Sequence, residues 1–478
     1  MLPIVDSLEY RLLEGAALAG YGAPLASAVR VPVRPEMRTI RSTVMIAGGS
    51  NALDDNALEV TRSDSINWLE ITSLSGERGQ TGSLGRAGRH QWSAGIGRAF
   101  GAHHLSAAFT HRGVASGLLF GAEQSAKNES GFAGWEWRGS STRAGLSYER
   151  GYGHHYSFGD FLLESRRAAD ATRFEGSLEW SGRLGRLQTR GDWTKARVNR
   201  TGDGEFSTES NWGWGAASFD RPIGPGQLEL SAGAGRHSGV GDVNVAPGAG
   251  YRFGNGRWSG HVGYERMLQP IWSDLAAGEE AFIQTTDAAV IEAAHHRGGL
   301  DLRLAAVGGR TEDRALVSRQ PFEELWLREG IVRELDPYRF TLVMGEGRLG
   351  WRPFTVAGSA FMLNRTRSEQ QPNVDPAGGG KLDVRWNTRF FKGDLGSTFT
   401  AGLDVVGRRE SEFGTPLPTI VTSRAAVTFT LLDAFVIFDV RNLENQPYEE
   451  VWIDPLTGIE ALSSGVEWRL LFNVRLRN

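Results

Sequence analysis

Three histidine pairs are the first groups with the chemistry to hold a metal or a haem iron: His103-His104, His154-His155 and His295-His296. Imidazole nitrogen is a good ligand for zinc, copper, iron and nickel. Spacing argues against two of the pairs. Neighbours along a strand point to opposite faces, so an adjacent pair on a strand cannot close on one ion. His103 and His295-His296 also lie beside short turn segments. His154 and His155 fall in a longer polar stretch and form the candidate ligand pair, with solvated loop histidine as the plainer alternative.

A second set alternates acid and base: Arg173 and Glu175, then Asp383, Arg385 and Arg389. Such groups can exchange protons with a substrate, or they can line a water-filled channel. The channel is preferred, because no nucleophile elbow, phosphate-binding loop or HExxH motif accompanies them. The chain is therefore not read as an enzyme. A third set mixes acids with aromatics: Glu323, Glu324, Trp326, Arg328 and Glu329 in one long connection, with Trp272 and Asp274 in another. Loops of this kind carry ligand contacts, and ordinary loop packing asks for the same residue types. No cofactor is implied by any of the three sets.

The elements that carry these residues follow a period of two, the mark of strands with unlike faces. Over residues 381–390, Leu382, Val384, Trp386, Thr388 and Phe390 point one way. Lys381, Asp383, Arg385, Asn387 and Arg389 point the other. Phe174, Leu178 and Trp180 oppose Arg173, Glu175 and Glu179 in the same manner, and Trp258, Val262 and Tyr264 oppose Ser259, His261 and Glu265. The stretch 354–365 is ambiguous, with both faces apolar.

About twenty-two such strands run from about residue 39 to the end. Short connections bear turn residues, as in Phe100-Gly101-Ala102, Gly139-Ser140-Ser141, Gly254-Asn255-Gly256 and Leu432-Asp433. Glycine and asparagine supply the positive φ that tight hairpins need. Longer polar stretches, near 75–89, 114–129, 150–171, 198–210, 268–283, 310–337, 366–378 and 443–463, are read as alternating with them without exception. This rhythm points to an all-β protein, a closed transmembrane antiparallel barrel with short turns on the periplasmic rim and long loops outside. Trp92, Trp135, Trp180, Trp212, Trp214, Trp258, Trp386 and Trp468 are among the tryptophans expected to form interfacial belts.

Bulk composition agrees. The chain has 478 residues, of which 63 are Gly and 15 Trp, with a formal charge of −4 and no cysteine. No run of eighteen apolar residues exists, which excludes a helical membrane protein. A mean hydropathy of −0.31 does not exclude a barrel, in which only alternate residues meet lipid. No basic run suggests nucleic acid, and without cysteine there is neither a disulfide framework nor a thiolate metal site. Met1 to Asp6 lacks a basic segment before an apolar core, so it is not a secretory signal; the expectation is a sequence lacking its true start.

Two stretches then resemble the TonB-dependent outer-membrane receptor family. The first is Leu8-Glu9-Tyr10-Arg11-Leu12-Leu13-Glu14-Gly15 with Gly20-Tyr21-Gly22-Ala23 and Ala28-Val29-Arg30-Val31, similar to the end of that family's plug domain. Glu14 stands where the family usually has Arg, and Ser27-Ala28 where a Gly pair is usual. The second, Val440-Arg441-Asn442-Leu443 through Tyr448, is similar to the end of its penultimate strand. The chain ends on Asn478 rather than the aromatic common in outer-membrane proteins.

The resemblance implies residues 1–36 as a plug remnant and 37–478 as the barrel. It also implies a cell outer membrane location and uptake of a scarce nutrient of the metal-chelate, cobalamin or glycan class. The implied partners are outer-membrane lipid, the barrel-assembly machinery and, where a TonB box lies upstream, the energy-coupling complex of the inner membrane. With only the end of a plug, a leaky pore is expected. A passive porin-like barrel is the alternative. A secreted soluble sugar-binding β-protein is the other, but a propeller needs a repeat and no fixed period is found.

Overall fold

The computed structural model describes residues 9–12, 27–30, 41–49, 54–63, 67–79, 86–117, 123–159, 162–202, 206–271, 281–322, 326–334, 336–366, 376–410, 416–431, 434–444, 449–453, 460–462 and 466–477. Two short strands, β1 (Glu9–Leu12) and β2 (Ser27–Arg30), pair only with each other. A ring begins with β3 (Arg41–Gly49), β4 (Asp54–Ser63), β5 (Asn67–Gly79), β6 (Arg86–Phe100) and β7 (His103–Gly117). It continues through β8 (Glu123–Arg138), β9 (Thr142–Gly159), β10 (Leu162–Gly182), β11 (Gly185–Gly202) and β12 (Phe206–Ile223). Next come β13 (Gly226–His237), β14 (Val243–Gly254), β15 (Trp258–Ile271), β16 (Phe282–Arg297) and β17 (Leu300–Glu312).

After β17 the chain leaves the ring for a ribbon of β18 (Arg314–Phe322) and β19 (Trp326–Glu334). It returns as β20 (Tyr338–Trp351), β21 (Phe354–Arg365), β22 (Gly378–Phe390) and β23 (Leu395–Val406). A second small ribbon joins β24 (Arg409–Glu410) to β25 (Pro416–Leu417) before β26 (Ile420–Leu431) and β27 (Ala434–Arg441). A third joins β28 (Glu449–Ile453) to β29 (Glu460–Leu462), and β30 (Glu467–Arg477) ends the chain. Setting aside the three ribbons and the first pair, the strands form one closed barrel of consecutive antiparallel neighbours. Pairing of β30 with both β27 and β3 closes it and leaves no free sheet edge.

The faces separate as the alternation requires. Along β22, Leu382, Val384 and Trp386 are exposed at 45%, 41% and 40%, while Asp383 between them is buried. Leu146, Phe174, Leu230, Val262, Ile291, Leu304, Val343 and Leu470 continue the exposed apolar surface around the ring. The charged face is the concave one. The apolar belt ends where outward ion pairs begin. Arg266 makes a two-pronged bond to Asp287 at 2.8 and 2.9 Å, and the Tyr264 hydroxyl donates to the same carboxylate. Arg150 and Asp170 repeat the arrangement. From Trp258 to Arg266 is about eight residues, roughly 26 Å of strand at about 3.3 Å per residue.

One rim carries the tight turns. Gly101, Gly224 and Gly298 hold φ of 57°, 58° and 58° there, in hairpins that an L side chain would strain. The turns expected at Gly139-Ser140-Ser141, Ser181 to Gly185, Arg221 to Gly226, Gly254-Asn255-Gly256, His296 to Gly299 and Phe391 to Asp394 all lie on this rim, and so does a further one at Arg352-Pro353. The Leu432-Asp433 turn lies outside the described residues.

The opposite rim corrects the sequence reading. Much of what was read as long loop is paired strand. The stretch 150–171 is almost wholly β9 and β10, which pair from Thr142 and Trp180 up to Gly159 and Leu162. Only residues 238–242 link β13 to β14, so long and short connections do not alternate without exception. Beyond the apolar belt both faces of a strand are polar and the period-two signal fades, while the backbone ladder continues. The wall is therefore uneven: β10 has 21 residues, and β13 and β14 have 12 each.

Candidate functional site

The chemistry-bearing residues gather on the inner wall. Strand pairing decides which of them meet. Glu175 in β10 lies in register with Asp192 in β11, and Arg173 and Arg190 flank them. Arg190 Nη2 donates to Glu175 Oε2 at 2.7 Å; Arg173 lies 3.5 Å from Glu175 and 3.7 Å from Asp192. A second group forms where β13, β14 and β15 adjoin: Arg252 Nη2 reaches Glu229 at 3.1 Å, and His261 Nε2 lies 3.7 Å from the same carboxylate. Arg303 spans Glu292 at 2.8 Å and Glu346 at 3.5 Å. In the last group Arg424 bonds Asp383, with Asp404 and Arg385 each 3.7 Å from a member of the pair. These are acids compensated by bases in adjoining strands, which is how a charged wall is held without stranded charge.

Between the charged groups the inner wall is apolar in one sector. Trp212 and Trp214 are each 5% exposed, and their rings are stacked at 6.1 Å and 11°. They pack with Ala246, Leu268 and Ile283, and a neighbouring cluster joins Met267, Ala288, Val290 and Val307. The sequence reading placed these two tryptophans in an interfacial belt; the structure puts them on the concave face. Their position depends on glycine. A Cβ on Gly233 would sit 2.3 Å from the Trp214 ring, and one on Gly235 would sit 2.3 Å from Trp212. Gly235→Val should therefore lower the midpoint of denaturant unfolding, costing about 1–3 kcal/mol as an overpacked site does. The same change at Gly213, where a Cβ meets nothing within 4 Å, should cost less than 1 kcal/mol or so by the same reasoning. Equal midpoints for the two variants would show that the rings do not rest on the glycines.

The other candidates fall as follows. Arg173, Glu175, Asp383, Arg385 and Arg389 all stand on the charged face, the first four inside the groups above. His103 and His104 are separated as argued: His103 accepts a bond from Trp135 Nε1 at 3.2 Å on the outward face. His295 packs on Trp258 at 4.1 Å, and His296 pairs with Asp301 on the other face. Among the described residues no three His, Cys, Asp or Glu side chains come together as metal ligands. The backbone of His154 and His155 pairs with Lys127 and Ala126 of β8, but their side chains lie outside the described residues. So do those of Trp326 and Arg328, whose backbones pair with Phe322 and Gln320 in the β18–β19 ribbon. Glu323, Glu324, Trp272 and Asp274 lie outside the described residues altogether. At the motif end of β27, Asn442 takes φ of 52° and turns the chain. Ser423 then bonds the Glu444 carboxylate through its hydroxyl and through its backbone N–H, the latter reaching Oε2 at 3.1 Å, and together they hold that carboxyl below its ordinary range.

In sequence, no family model and no curated protein matches the chain. In shape, solved structures match almost all of it. The iron transporter FrpB from Neisseria meningitidis (F5-1 variant) aligns with a TM-score of 0.81 at 10% identity, covering 99% of this chain and 87% of that one. The siderophore receptor PirA from Acinetobacter baumannii gives 0.79 at 11% identity, covering 99% and 85%. The copper transporter OprC gives 0.79 at 11%, covering 94% and 83%. The fold is that of the outer-membrane receptor barrels. At the level of fold, the resemblance read in the sequence to TonB-dependent receptors holds. The receptor barrel accounts for the closed ring, the single rim of tight turns and the polar interior.

Proposed function

We propose that the chain is the barrel of an outer-membrane uptake receptor for a scarce nutrient. The observation that carries this is a closed ring whose outward face is an apolar belt, bounded by paired charges. The tight-turn rim then faces the periplasm and the taller rim the exterior. The related folds that carry iron, siderophores or copper favour a metal-chelate cargo; nothing among them speaks for cobalamin or a glycan. A ring of this many strands is too wide for its own side chains to fill, which disfavours a simple porin-like wall and calls for a plug. Residues 1–36, with the β1–β2 pair, are read as part of that plug, and 37–478 as the barrel. The inward residues Arg173, Glu175, Asp383, Arg385 and Arg389 line the lumen. Candidate ligand contacts remain His154 and His155 in β9, Trp326 and Arg328 in the β18–β19 ribbon, and Trp272 and Glu324. The barrel-assembly machinery would insert the chain, and an inner-membrane energy-coupling complex would drive transport.

The test is direct. The chain should fractionate with outer membranes, and its mobility on a detergent gel should shift when the sample is boiled. In a host lacking its own uptake receptors it should restore growth on at least one iron or copper chelate. A chain that stays in solution without detergent, with mobility unchanged by boiling, would overturn the reading.

A further inference from the structure

No strand of the ring is an edge strand, yet one seam is joined along only part of its length. Seven register pairs, Gly248 with Glu265 down to Gly254 with Ser259, hold β14 to β15, although the strands have 12 and 14 residues. Above them, among the described residues, 243–247 pair only with β13 and 266–271 only with β16. Pro247 stands at the parting, as proline does where a strand runs without a neighbour. The two strands part by stepping past each other. By alternation Val262 and Leu268 belong to the outward face of β15, and Ile283 and Ile291 to that of β16. Val262 and Ile291 are 50% and 62% exposed there, but Leu268 and Ile283 are buried. What covers them is the inner face of β12 and β14, through Trp212, Trp214 and Ala246. The upper ends of β15 and β16 therefore lie inside β12–β14, and the wall overlaps itself. At the tip of the overlap, a Cβ on Gly239 in the β13–β14 link would come 2.9 Å from the Cβ of Ala281, just ahead of β16.

The overlap coincides with the apolar sector of an otherwise charged inner wall. On its outer side Val243, Val245 and Pro247 are exposed on β14, where β15 across the seam has already passed inward. Apolar side chains thus run from the outward belt to the lip of the overlap, and Leu268, Ile283, Trp212 and Trp214 continue them within. Parting a fully paired seam would break ladder hydrogen bonds, which lipid does not replace. Here only apolar contacts part, and an alkyl chain entering the gap restores them in kind.

We infer that the β14–β15 seam is a side port in the barrel wall: the alkyl chain of a membrane amphiphile slips between the overlapped strands and lies against Leu268, Trp212 and Trp214. This rests on the reading that the ring spans a bilayer. The support is continuity with the lipid-facing belt. The seam parts at Tyr264 to Arg266, where that belt ends on β15, so the port opens at the level of the outer leaflet. It adds to the uptake path a class of solute with a polar head and an alkyl tail, one that arrives sideways from the membrane and not down the lumen from the medium. The tail then occupies the seam and the head the charged interior.

Vesicles of a phosphatidylcholine that carries a diazirine midway along one acyl chain provide the test. The full chain is folded into them, illuminated and digested, and its labelled residues are read by mass spectrometry. Leu230 and Val262, on the outward face, should be labelled in every sample. Trp212 and Trp214 should be labelled too, although both face the lumen and are almost wholly buried. Gly239→Cys with Ala281→Cys clamps the overlap, since the two Cβ positions are nearer than the roughly 3.8 Å of a disulfide and a small shift joins them. The chain has no other cysteine. Oxidation should remove the label from the two tryptophans and reduction should restore it, with Leu230 and Val262 unchanged. If that variant lacks the heat-dependent gel shift of a folded barrel, or does not form the bond, Leu268→Gln replaces it: a polar amide in the path should lower the tryptophan label. Unlabelled tryptophans in a wild-type chain that shows the gel shift would overturn the inference. So would a tryptophan label unchanged by the clamp or by Leu268→Gln. Equal labelling of Arg385, on the inner face of β22, would mean lipid filling the lumen and would overturn it too. A wild-type chain without the gel shift would overturn the barrel reading, and this inference with it.

Discussion

An arginine placed at Val384 should destabilise the folded barrel by about 2–4 kcal/mol, the cost of a cation on the lipid face near mid-membrane. Val384 is 41% exposed on the outward face, in register with Val356 on one side and Ala401 on the other. Trp386 and Phe390 lie between it and the tight-turn rim, so the substituted side chain has several residues of apolar belt to cross before reaching water. Arg385, one residue on, faces inward, is half exposed and lies 3.7 Å from Asp383. Arg385→Ser should cost at most about 1 kcal/mol, as an exposed ion pair does. Unfolding of both variants by denaturant from lipid vesicles measures the difference. Equal costs would mean that the faces assigned to β22 are wrong.

Removing the Arg424 guanidinium should have the next largest effect, about 3 kcal/mol in the same assay. The Asp383 and Arg424 side chains are 7% and 16% exposed, and they share the space above Gly402, where a Cβ would come within 2.8 Å of Arg424 Nε. Arg424→Met leaves the carboxylate buried, with Arg385 at 3.7 Å as its remaining cation. The cost is therefore that of a stranded charge, not of a lost attraction. Asp383→Leu together with Arg424→Met removes the pair as a unit and should return stability to within about 1 kcal/mol of the starting chain. A double variant as unstable as Arg424→Met alone would show that the residues act separately.

The barrel was legible because lipid and water on opposite faces write a period of two into each strand. Leu382 to Phe390 and Phe174 to Trp180 carried that signal, and their faces stand as read. The signal stops where the outward ion pairs such as Arg150–Asp170 begin, so the upper halves of β9 and β10 read as loop although their ladder continues to Gly159 and Leu162. Trp212 and Trp214 misled for a different reason. Tryptophan is favoured both at membrane interfaces and in packed interiors, and the residue type alone does not separate the two. The distinguishing mark was in the partner strand, where Gly233 and Gly235 leave room for two indoles, and a register is needed to see it.

The uneven wall has a consequence for how the molecule meets its surroundings. Nine residues separate β10 from β13 in length, roughly 20–25 Å of height for strands rising about 3.3 Å per residue at a tilt near 40°. On a living cell the shoulder of β8 to β12 would stand clear of the surface, while the β13–β14 edge would sit near the level of the surrounding saccharide. Antibodies and bacteriophage arriving from the medium would therefore find the shoulder first. Because that shoulder is a hydrogen-bonded ladder and not loose chain, proteases that need an unpaired strand should spare it, and surface digestion should leave its epitopes intact.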